Sequence, residues 1–576
     1  MNLKQFTAAL LAVALAVPSC VNVNEELGSD NLDKEYLIDI YSVDIPLTET
    51  RLQMADSISG YSTSRLTVGA VRDDVFGETV RGSAFTLVPA LDTIDFGKDP
   101  VVKRFHIAFA QDTISAPTES DRYILQNVDV YALTKPMNPA KSGTNDPLSF
   151  DESKRISSGI PVYAGSDSLS FDFTKEFAMS YIEGIRRVAR DGKILITREG
   201  AQPGDTVSME DYTAELPGVY VRIKPGAGNG GRINMFKLSS MTLVTEQSRT
   251  YYDRNNNIAV LRINAEYDGV RKDTAFLFYP GQSAFVDEVE AVVNSTKFTQ
   301  YAFNYTGQST RDREGVATGD LLVEGGGGLK PVIQASELRE KVLQDILTRD
   351  GNPDKAIINL ATIYLPFEEP ADYRDLDLYP TTLSPTCQTL TKSEDGTVRS
   401  TFNGLPDAAA DVEDQGGINR SLLQYQPDIT WHLSKILQLD ESELAADPDL
   451  IHNYDIWLFT IHDEIVESSA TSSYDQNYLQ QMLLYQYLNN IYGGYGGYGG
   501  YGYGGYGYGG YGYGYDSYGY SNYMNMYLLS SMFASSGTTS TTTQTLDKDR
   551  YYKGILNGPA AARHPHLKVT YSLPKE

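Results

Sequence analysis

Alternation of apolar and polar residues is the feature that most limits how this chain can fold. In segment 127–134, Val128, Val130 and Ala132 alternate with Asn, Asp and Tyr, and segment 567–573 has the same pattern. A period of two is typical of a strand with one buried face. Similar segments, separated by Gly, Pro, Asn and Asp, are RFHIAFA (104–110), GVYVRIKP (218–225), NIAVLRINAEY (257–267), TAFLFY (274–279), AIINLATIYLP (356–366) and YDIWLFTIH (454–462). So many short strands predict a mainly β fold of tandem antiparallel β-sandwich-like modules.

Only a few segments have the three- and four-residue apolar spacing of a helix. The first is 174–190, with Asp172 and Thr174 as candidate N-caps, and the second begins at a candidate cap, Ser336, and ends before Gly351. A third and less regular candidate is 428–439. Helices this few predict elements that decorate the sheets.

The N-terminus carries an export signal followed by a candidate lipidation site. Lys4 precedes the apolar run TAALLAVALAV (7–17), which is shorter than the roughly 20 residues of a membrane-spanning helix, so residues 1–19 are predicted to be a signal peptide. The following Pro-Ser-Cys resembles the lipobox of bacterial lipoproteins, in which the cysteine, here Cys20, is acylated and becomes the new N-terminus. Acyl chains such as palmitate would then hold the protein on a membrane. The alternative is a plain signal peptide with an incidental Cys20.

The charge balance limits the partners of the chain. It has 48 Lys and Arg against 75 Asp and Glu, a net charge of −27, which argues against a nucleic-acid partner. Glu25 and Glu26 lie in the polar segment 20–35, which we predict to be a lipid-anchored tether; this acidic stretch resembles the tag that displays Bacteroidota lipoproteins on the outer face of the outer membrane. Cys387 is the one other cysteine, so lipidation of Cys20 would leave no internal disulfide.

The strand-like segments fall into two predicted modules. Residues 36–285 form the first β-sandwich-like module, and residues 286–466 with 549–576 form the second. The second module is interrupted by a predicted low-complexity insertion, 467–548, that includes the Gly/Tyr tract 492–520. Glycine at every second or third position leaves few side chains to bury, so this tract is predicted to be disordered. It is either a tolerated expansion of a surface loop or a loop that contacts a partner.

No motif commits the chain to a reaction. The sequence lacks an HExxH pair, a Gly-x-Ser-x-Gly elbow and a P-loop. Glycines 226, 228 and 231 match G-x-G-x-x-G, but a strand pattern follows where a dinucleotide site needs a helix, so we predict a turn. The sequence therefore predicts no catalytic residue, no cofactor and no metal site.

Six Asp-Ser/Thr-aliphatic triplets resemble the O-glycosylation sequon of exported Bacteroidota proteins. The candidate acceptors are Ser57, Thr93, Thr113, Ser168, Thr206 and Thr274. The alternative is that these triplets mark junctions between turns and strands.

The order of several motifs resembles the Bacteroidota lipoprotein family described as domain of unknown function 4270. After the lipobox come SRLTVGAVRDDVFGETVRGSAF (64–85), LPGVYVRI (216–223), GGRINMF (230–236), VEGGGG (323–328), AIINLATIYLP (356–366) and HPHLKVTYSLP (564–574). The family has no assigned reaction and no agreed functional residues, so the resemblance implies no site. Together with the lipobox it implies a non-enzymatic outer-membrane lipoprotein, a binding or structural component of the cell envelope with a protein or glycan partner. The alternative is a surface glycan-binding or glycan-processing accessory protein.

Overall fold

The computed structural model describes residues 38–61, 65–89, 94–137, 143–166, 168–190, 207–237, 240–246, 249–255, 258–281, 302–392, 398–409, 415–468 and 539–574. The predicted signal peptide, the tether with Cys20 and the tract 492–520 lie outside these residues.

The described residues form a mainly β fold with a few helices, as the alternation predicts. The strands of the first half are β1 (Ile38–Pro46), β2 (Arg51–Met54), β3 (Arg65–Asp73), β4 (Gly77–Phe85), β5 (Leu87–Pro89), β6 (Lys98–Ser115), β7 (Gln126–Leu133), β8 (Phe150–Arg155), β9 (Val162–Tyr163), β10 (Ser168–Asp172), β11 (Val219–Ile223), β12 (Gly230–Lys237), β13 (Ser240–Glu246), β14 (Arg249–Asn255), β15 (Ala259–Tyr267) and β16 (Val270–Pro280). The strands of the second half are β17 (Ala302–Gln308), β18 (Gly315–Val316), β19 (Leu321–Val323), β20 (Leu329–Ile333), β21 (Ile357–Pro366), β22 (Leu383–Lys392), β23 (Val398–Gly404), β24 (Ile418–Asn419), β25 (Gln424–Tyr425), β26 (Ile456–Ser468), β27 (Thr539–Leu546), β28 (Gly554–Leu556) and β29 (His566–Pro574).

The helices lie between strands. They are α1 (Lys175–Val188), α2 (Met209–Glu215), α3 (Ala335–Thr348), α4 (Thr430–Leu437) and α5 (Glu441–Ala446). Thr174 caps α1 as predicted, because its side chain accepts a hydrogen bond from the Phe177 amide at 3.2 Å. The predicted cap of α3 is wrong: the N-cap is Gln334, and Ser336 lies inside the first turn.

Antiparallel strands form a first unit around one core. Their order is β5-β16-β15-β6-β12-β3-β4-β11-β7-β8, with β10 beside β6, β17 beside β4 and β9 beside β7. Strand β6 is 18 residues long and joins two parts of the sheet, because its first part pairs with β15 and its last part with β12. Aromatic side chains pack in the core of this unit: the ring of Phe105 lies 5.7 Å from that of Phe278 on β16 and 5.9 Å from that of Tyr181 on α1.

Two further sheets form a second unit with its own core. One has the order β1-β29-β21-β25-β24, and the other β18-β2-β20-β26-β22-β23 with β27 beside β26. Leu338 of α3 and Leu433 of α4 are completely buried in this core together with Leu458 and Val569 from the two sheets. Strands of both sheets therefore place one face on a core shared with helices, in line with the mainly β, sandwich-like fold that the sequence predicts.

Strand pairing crosses the predicted module boundaries at both ends. Strands β1 and β2 lie within 36–285, yet they pair with β29 and β20 of the second unit. The Glu337 carboxylate helps to hold them there, because it accepts a hydrogen bond from the Thr48 amide at 2.6 Å. Strand β17, predicted in the second module, pairs with β4 of the first unit, and β27 lies inside the predicted insertion 467–548. Pairings between strands so far apart in sequence depend on register that a single alternating segment does not encode.

Candidate interaction site

The predicted modification sites lie apart from one another. Cys20, Thr93 and Thr206 fall outside the described residues. Ser57 is exposed in the turn after β2, and Ser168 is exposed at the start of β10. These two positions are accessible to a modifying enzyme and also fit the alternative of a turn or strand junction.

Two of the candidate acceptors are instead half-buried within strands. Thr113 lies in β6 opposite Met235, and Thr274 lies in β16 opposite Ile263. The alternative interpretation, a junction between a turn and a strand, is therefore wrong at these two positions. The aspartate before Thr113 pairs with Arg65, which ties that triplet to the sheet.

One histidine of the described residues lies beside a cysteine, and neither belongs to a metal-binding group. No group of three His, Cys, Asp or Glu side chains that could hold a metal ion occurs within the described ranges. The Nε2 of His432 lies 3.5 Å from the Cys387 sulfur and 2.9 Å from the carbonyl oxygen of Tyr454. Burial lowers the pKa of His432 to about 4 and raises the pKa of the Cys387 thiol. At neutral pH this pair therefore holds no thiolate to act as a nucleophile.

A set of buried charges lies where the two units meet. The Lys330 ammonium donates hydrogen bonds to the carbonyl oxygens of Glu324, Gly326 and Gly328 at 2.5, 3.1 and 3.1 Å. Arg81 of the first unit donates from Nη2 to the carbonyl of Gly325 at 3.1 Å. We call these residues, Arg81, Glu324, Lys330 and the glycine loop between them, the buried seam.

The electrostatics of the buried seam follow from its lack of solvent. Burial lowers the pKa of Lys330 to about 7 and that of Arg81 to about 10, while burial raises the pKa of Glu324. The Glu324 carboxylate accepts from the Leu329 amide at 2.9 Å and from the Thr310 hydroxyl at 2.7 Å. The hydrogen-bond partners named here are all groups of the protein itself, so we interpret the buried seam as a joint between the two units. It explains the VEGGGG motif, because a Cβ on Gly328 would come within 2.5 Å of Gln308 Nε2 and of Glu324 Cβ.

A second feature, on the surface, has the character of a binding site. Five large apolar side chains are exposed on two paired segments of the first unit: Tyr123, Ile124, Leu125, Ile160 and Val162. We call this set the apolar platform. Tyr123 is 71% exposed and Leu125 is 68% exposed, so these side chains are largely in contact with solvent.

The register of β7 and β9 brings the two segments of the apolar platform together. Asn127 is opposite Val162, and Gln126 is opposite Tyr163. Leu125 is two residues from Asn127, so it lies diagonal to Val162 on the outward face, a distance over which side chains interact. The Val128 amide donates to the carbonyl of Pro161 at 2.8 Å and extends the contact.

A buried arginine fixes both segments from below. Arg232 of β12 is fully buried, and its Nη2 donates to the carbonyl of Tyr163 at 2.9 Å while its Nη1 donates to the carbonyl of Ile124. Its Nε donates to Asn234 Oδ1 at 2.7 Å, which orients the guanidinium. One fully buried cation therefore connects the backbones on both sides of the platform. Five donors in a rigid fork suit this task better than a lysine would.

No family model matches the chain, and no curated protein or solved structure matches it either. The family resemblance drawn from motif order thus stays a prediction. The described residues also include no helix that is long and apolar enough to cross a membrane.

Sequence reasoning missed both the platform and the seam. The segments RYILQ and IPVY have no period of two or 3.6 around their exposed residues, so no pattern marks them as a surface. The one available signal is a short run of large apolar residues, which also occurs in buried turns. Trp457, in the strand-like segment 454–462, is 4% exposed and lies in a core.

Proposed function

We propose that this chain is a non-enzymatic, lipid-anchored outer-membrane protein that acts as a binding component of the cell envelope and docks a partner protein on the apolar platform. The lipobox at Cys20 and the motif order that resembles the domain of unknown function 4270 family support the location and the family. The apolar platform supports the activity, and it is the observation on which the proposal rests.

Clustered apolar side chains that stay in contact with water are unfavourable unless a partner covers them. Clustered exposed apolar side chains mark interaction sites on soluble proteins, and here five of them stand on two adjoining segments. Here the side chains stand on backbone that Arg232 holds in place. A surface that is already ordered loses little conformational entropy when it binds, so more of the apolar burial appears as affinity. Tyrosine, here Tyr123, is also enriched at the centre of protein interfaces.

The anchor is tested by a pair of cysteine variants. Cells that express Cys20→Ala or Cys387→Ala are labelled with radioactive palmitate and fractionated. We expect Cys20→Ala to lose both the label and the membrane fraction, and Cys387→Ala, the matched control, to keep both. Palmitate label retained by Cys20→Ala would refute the anchor.

The platform is tested by recovery of a partner from detergent-solubilised envelopes. A tagged chain with Leu125→Ser and Val162→Ser is compared with a control, Val270→Ser, which changes an exposed apolar side chain at the turn between β15 and β16. We expect the platform variant to lose a protein that the wild type and the control retain. Equal recovery by all three chains would refute a docking role for the platform.

The glycan alternative is examined with the same variants. Binding to a polysaccharide array that falls in the platform variant and persists in Val270→Ser would assign the platform to glycan. The exposed Trp431 gives this alternative little support, because the Lys435 ammonium lies 3.3 Å from the centre of its ring and covers that face.

A further inference from the structure

We infer that one end of the sheet β1-β29-β21 lies against the lipid bilayer. The surface consists of Ile38, Ile40, Ile357 and Leu360, and we call it the β1 apolar face. The inference rests on the proposed function in one respect, since it needs the lipid anchor at Cys20. It adds a second interaction surface, distinct from the apolar platform, and assigns it a lipid occupant.

Strand register places these side chains on one surface. Ser572 of β29 lies between Ile40 of β1 and Ile357 of β21, and it is opposite both. Residues directly opposite one another in antiparallel strands point to the same side of the sheet. Ile40 is 69% exposed and Ile357 is 60% exposed, so this side is the outer one. Its opposite side packs into the core of the second unit through Tyr571 and Leu573.

The polarity of this surface changes along the strands. Ile38 and Ile40 occupy the end at which the described chain begins, with Ser42 next and the exposed Asp44 beyond it. Asp44 is opposite the exposed Lys568. On β1 and β29 the outer face is thus apolar at the end nearest the predicted tether and charged three side-chain rows further on, and on the β21 side the exposed Asp354 and Lys355 precede Ile357.

The depth of the apolar band fits a lipid interface. Side chains on one face of a strand are two residues apart, which is about 7 Å, so the row of Ile38 and the row of Ile40 and Ile357 span about that distance. Leu360 is opposite Thr570, in the row of Ser42, and marks the inner edge of the band. Apolar surfaces that rest on a membrane enter the boundary of headgroups and acyl chains by roughly 5–10 Å. A β1-to-β1 contact between two copies would also have to cover Asp44 and Lys568, which stand on the same face.

The length of the chain before β1 brings this face close to the membrane. Ile38 lies 18 residues after Cys20, and 18 residues span at most about 65 Å when fully extended. The anchor therefore keeps the β1 apolar face near the bilayer, at a high effective concentration. Because the net charge of the whole chain is −27, attraction to anionic headgroups is weak and the contact is apolar.

The test uses the complete lipidated chain in vesicles of phosphatidylcholine and phosphatidylethanolamine. An environment-sensitive fluorophore is attached to a new cysteine at Ile40→Cys or at a control, Val270→Cys. Acylation blocks Cys20, and a Cys387→Ala background removes the remaining thiol. We expect emission from position 40 to shift to shorter wavelength and to be quenched by lipids brominated near the headgroup, and emission from position 270 to stay unquenched.

Flotation of the same vesicles separates failure of the anchor from failure of this inference. A chain that does not float with the vesicles refutes the anchor, and with it the proposed function. A chain that floats while the label at position 40 stays in water, unquenched, overturns the β1 apolar face alone. A shift at position 40 that depends on protein concentration and persists without vesicles assigns the face to a second copy and also overturns the inference.

Discussion

Replacement of Arg232 by methionine should loosen the apolar platform while it leaves the rest of the fold intact. Methionine is similar in length to arginine and can fill the site, but it donates no hydrogen bond. The carbonyl groups of Tyr163 and Ile124 and the side chain of Asn234 then lose their shared donor inside the protein. We therefore expect Arg232→Met to have a local effect on the two segments that the guanidinium connects.

The magnitude follows from the burial of these groups. Arg232 is fully buried, and a buried acceptor that loses its donor costs about 1–3 kcal/mol, so loss of the bonds to the Tyr163 and Ile124 carbonyls should cost about 2–6 kcal/mol. The matched control is Arg104→Met. Arg104 is 54% exposed where it pairs with Asp172, and such surface pairs contribute about 0–1 kcal/mol.

Hydrogen exchange measures this effect region by region. We expect faster exchange in Arg232→Met at the amides of residues 121–128, which lead into β7, and of residues 162–165, which include β9. Exchange in the second unit should be unchanged. Arg104→Met should match the wild type in both regions. Equal exchange of the platform segments in Arg232→Met and Arg104→Met would refute the role of Arg232.

Three further results are expected. Burial lowers the pKa of His432 from its ordinary 6.5 to about 4, so between these pH values only the unfolded chain binds the proton. The free energy of unfolding should therefore fall by up to about 3 kcal/mol as the pH drops from 6.5 to 4. Urea denaturation should show a smaller fall for His432→Gln than for the wild type. Because burial raises the pKa of the Cys387 thiol, the native chain should resist iodoacetamide at pH 8 and react after denaturation; rapid labelling of the native chain would contradict that burial. Ser468 and Thr539 are opposite each other in β26 and β27 and close the loop that contains the Gly/Tyr tract. Deletion of residues 492–520 shortens this loop and should change the free energy of unfolding by only about 0.5 kcal/mol. A large drop in the thermal midpoint would show that the tract packs on the fold.

Local patterns predicted the elements better than they predicted the assembly. The alternation around Val128 and Val130 corresponds to a strand because one face is buried in the first unit, and Thr174 caps its helix because the capping bond is local. The partner of β1, in contrast, is β29, more than 500 residues later. An alternating segment indicates which face of a strand is buried, but it does not indicate which strand lies beside it. The module boundaries therefore did not follow from the alternation.

The candidate site was harder to predict for a related reason. Arg232 appears in the sequence as one charged residue inside a strand pattern, where a charge usually faces solvent. Its burial is intelligible only when the carbonyls of Ile124 and Tyr163 are placed beside it. Leu125 and Val162 likewise look like core residues, and their exposure depends on the ends of β7 and β9. Functional surfaces formed by several distant segments leave little periodic signal in any one of them.

Photo-cross-linking in intact cells is the most direct test that the apolar platform docks a partner. A benzophenone amino acid replaces Leu125 in the lipidated chain, and in a second strain it replaces Val270, which is also exposed but lies away from the platform. The account predicts a discrete cross-linked protein adduct from position 125 and none from position 270. Absence of an adduct at position 125, or the same adduct from both positions, would contradict it.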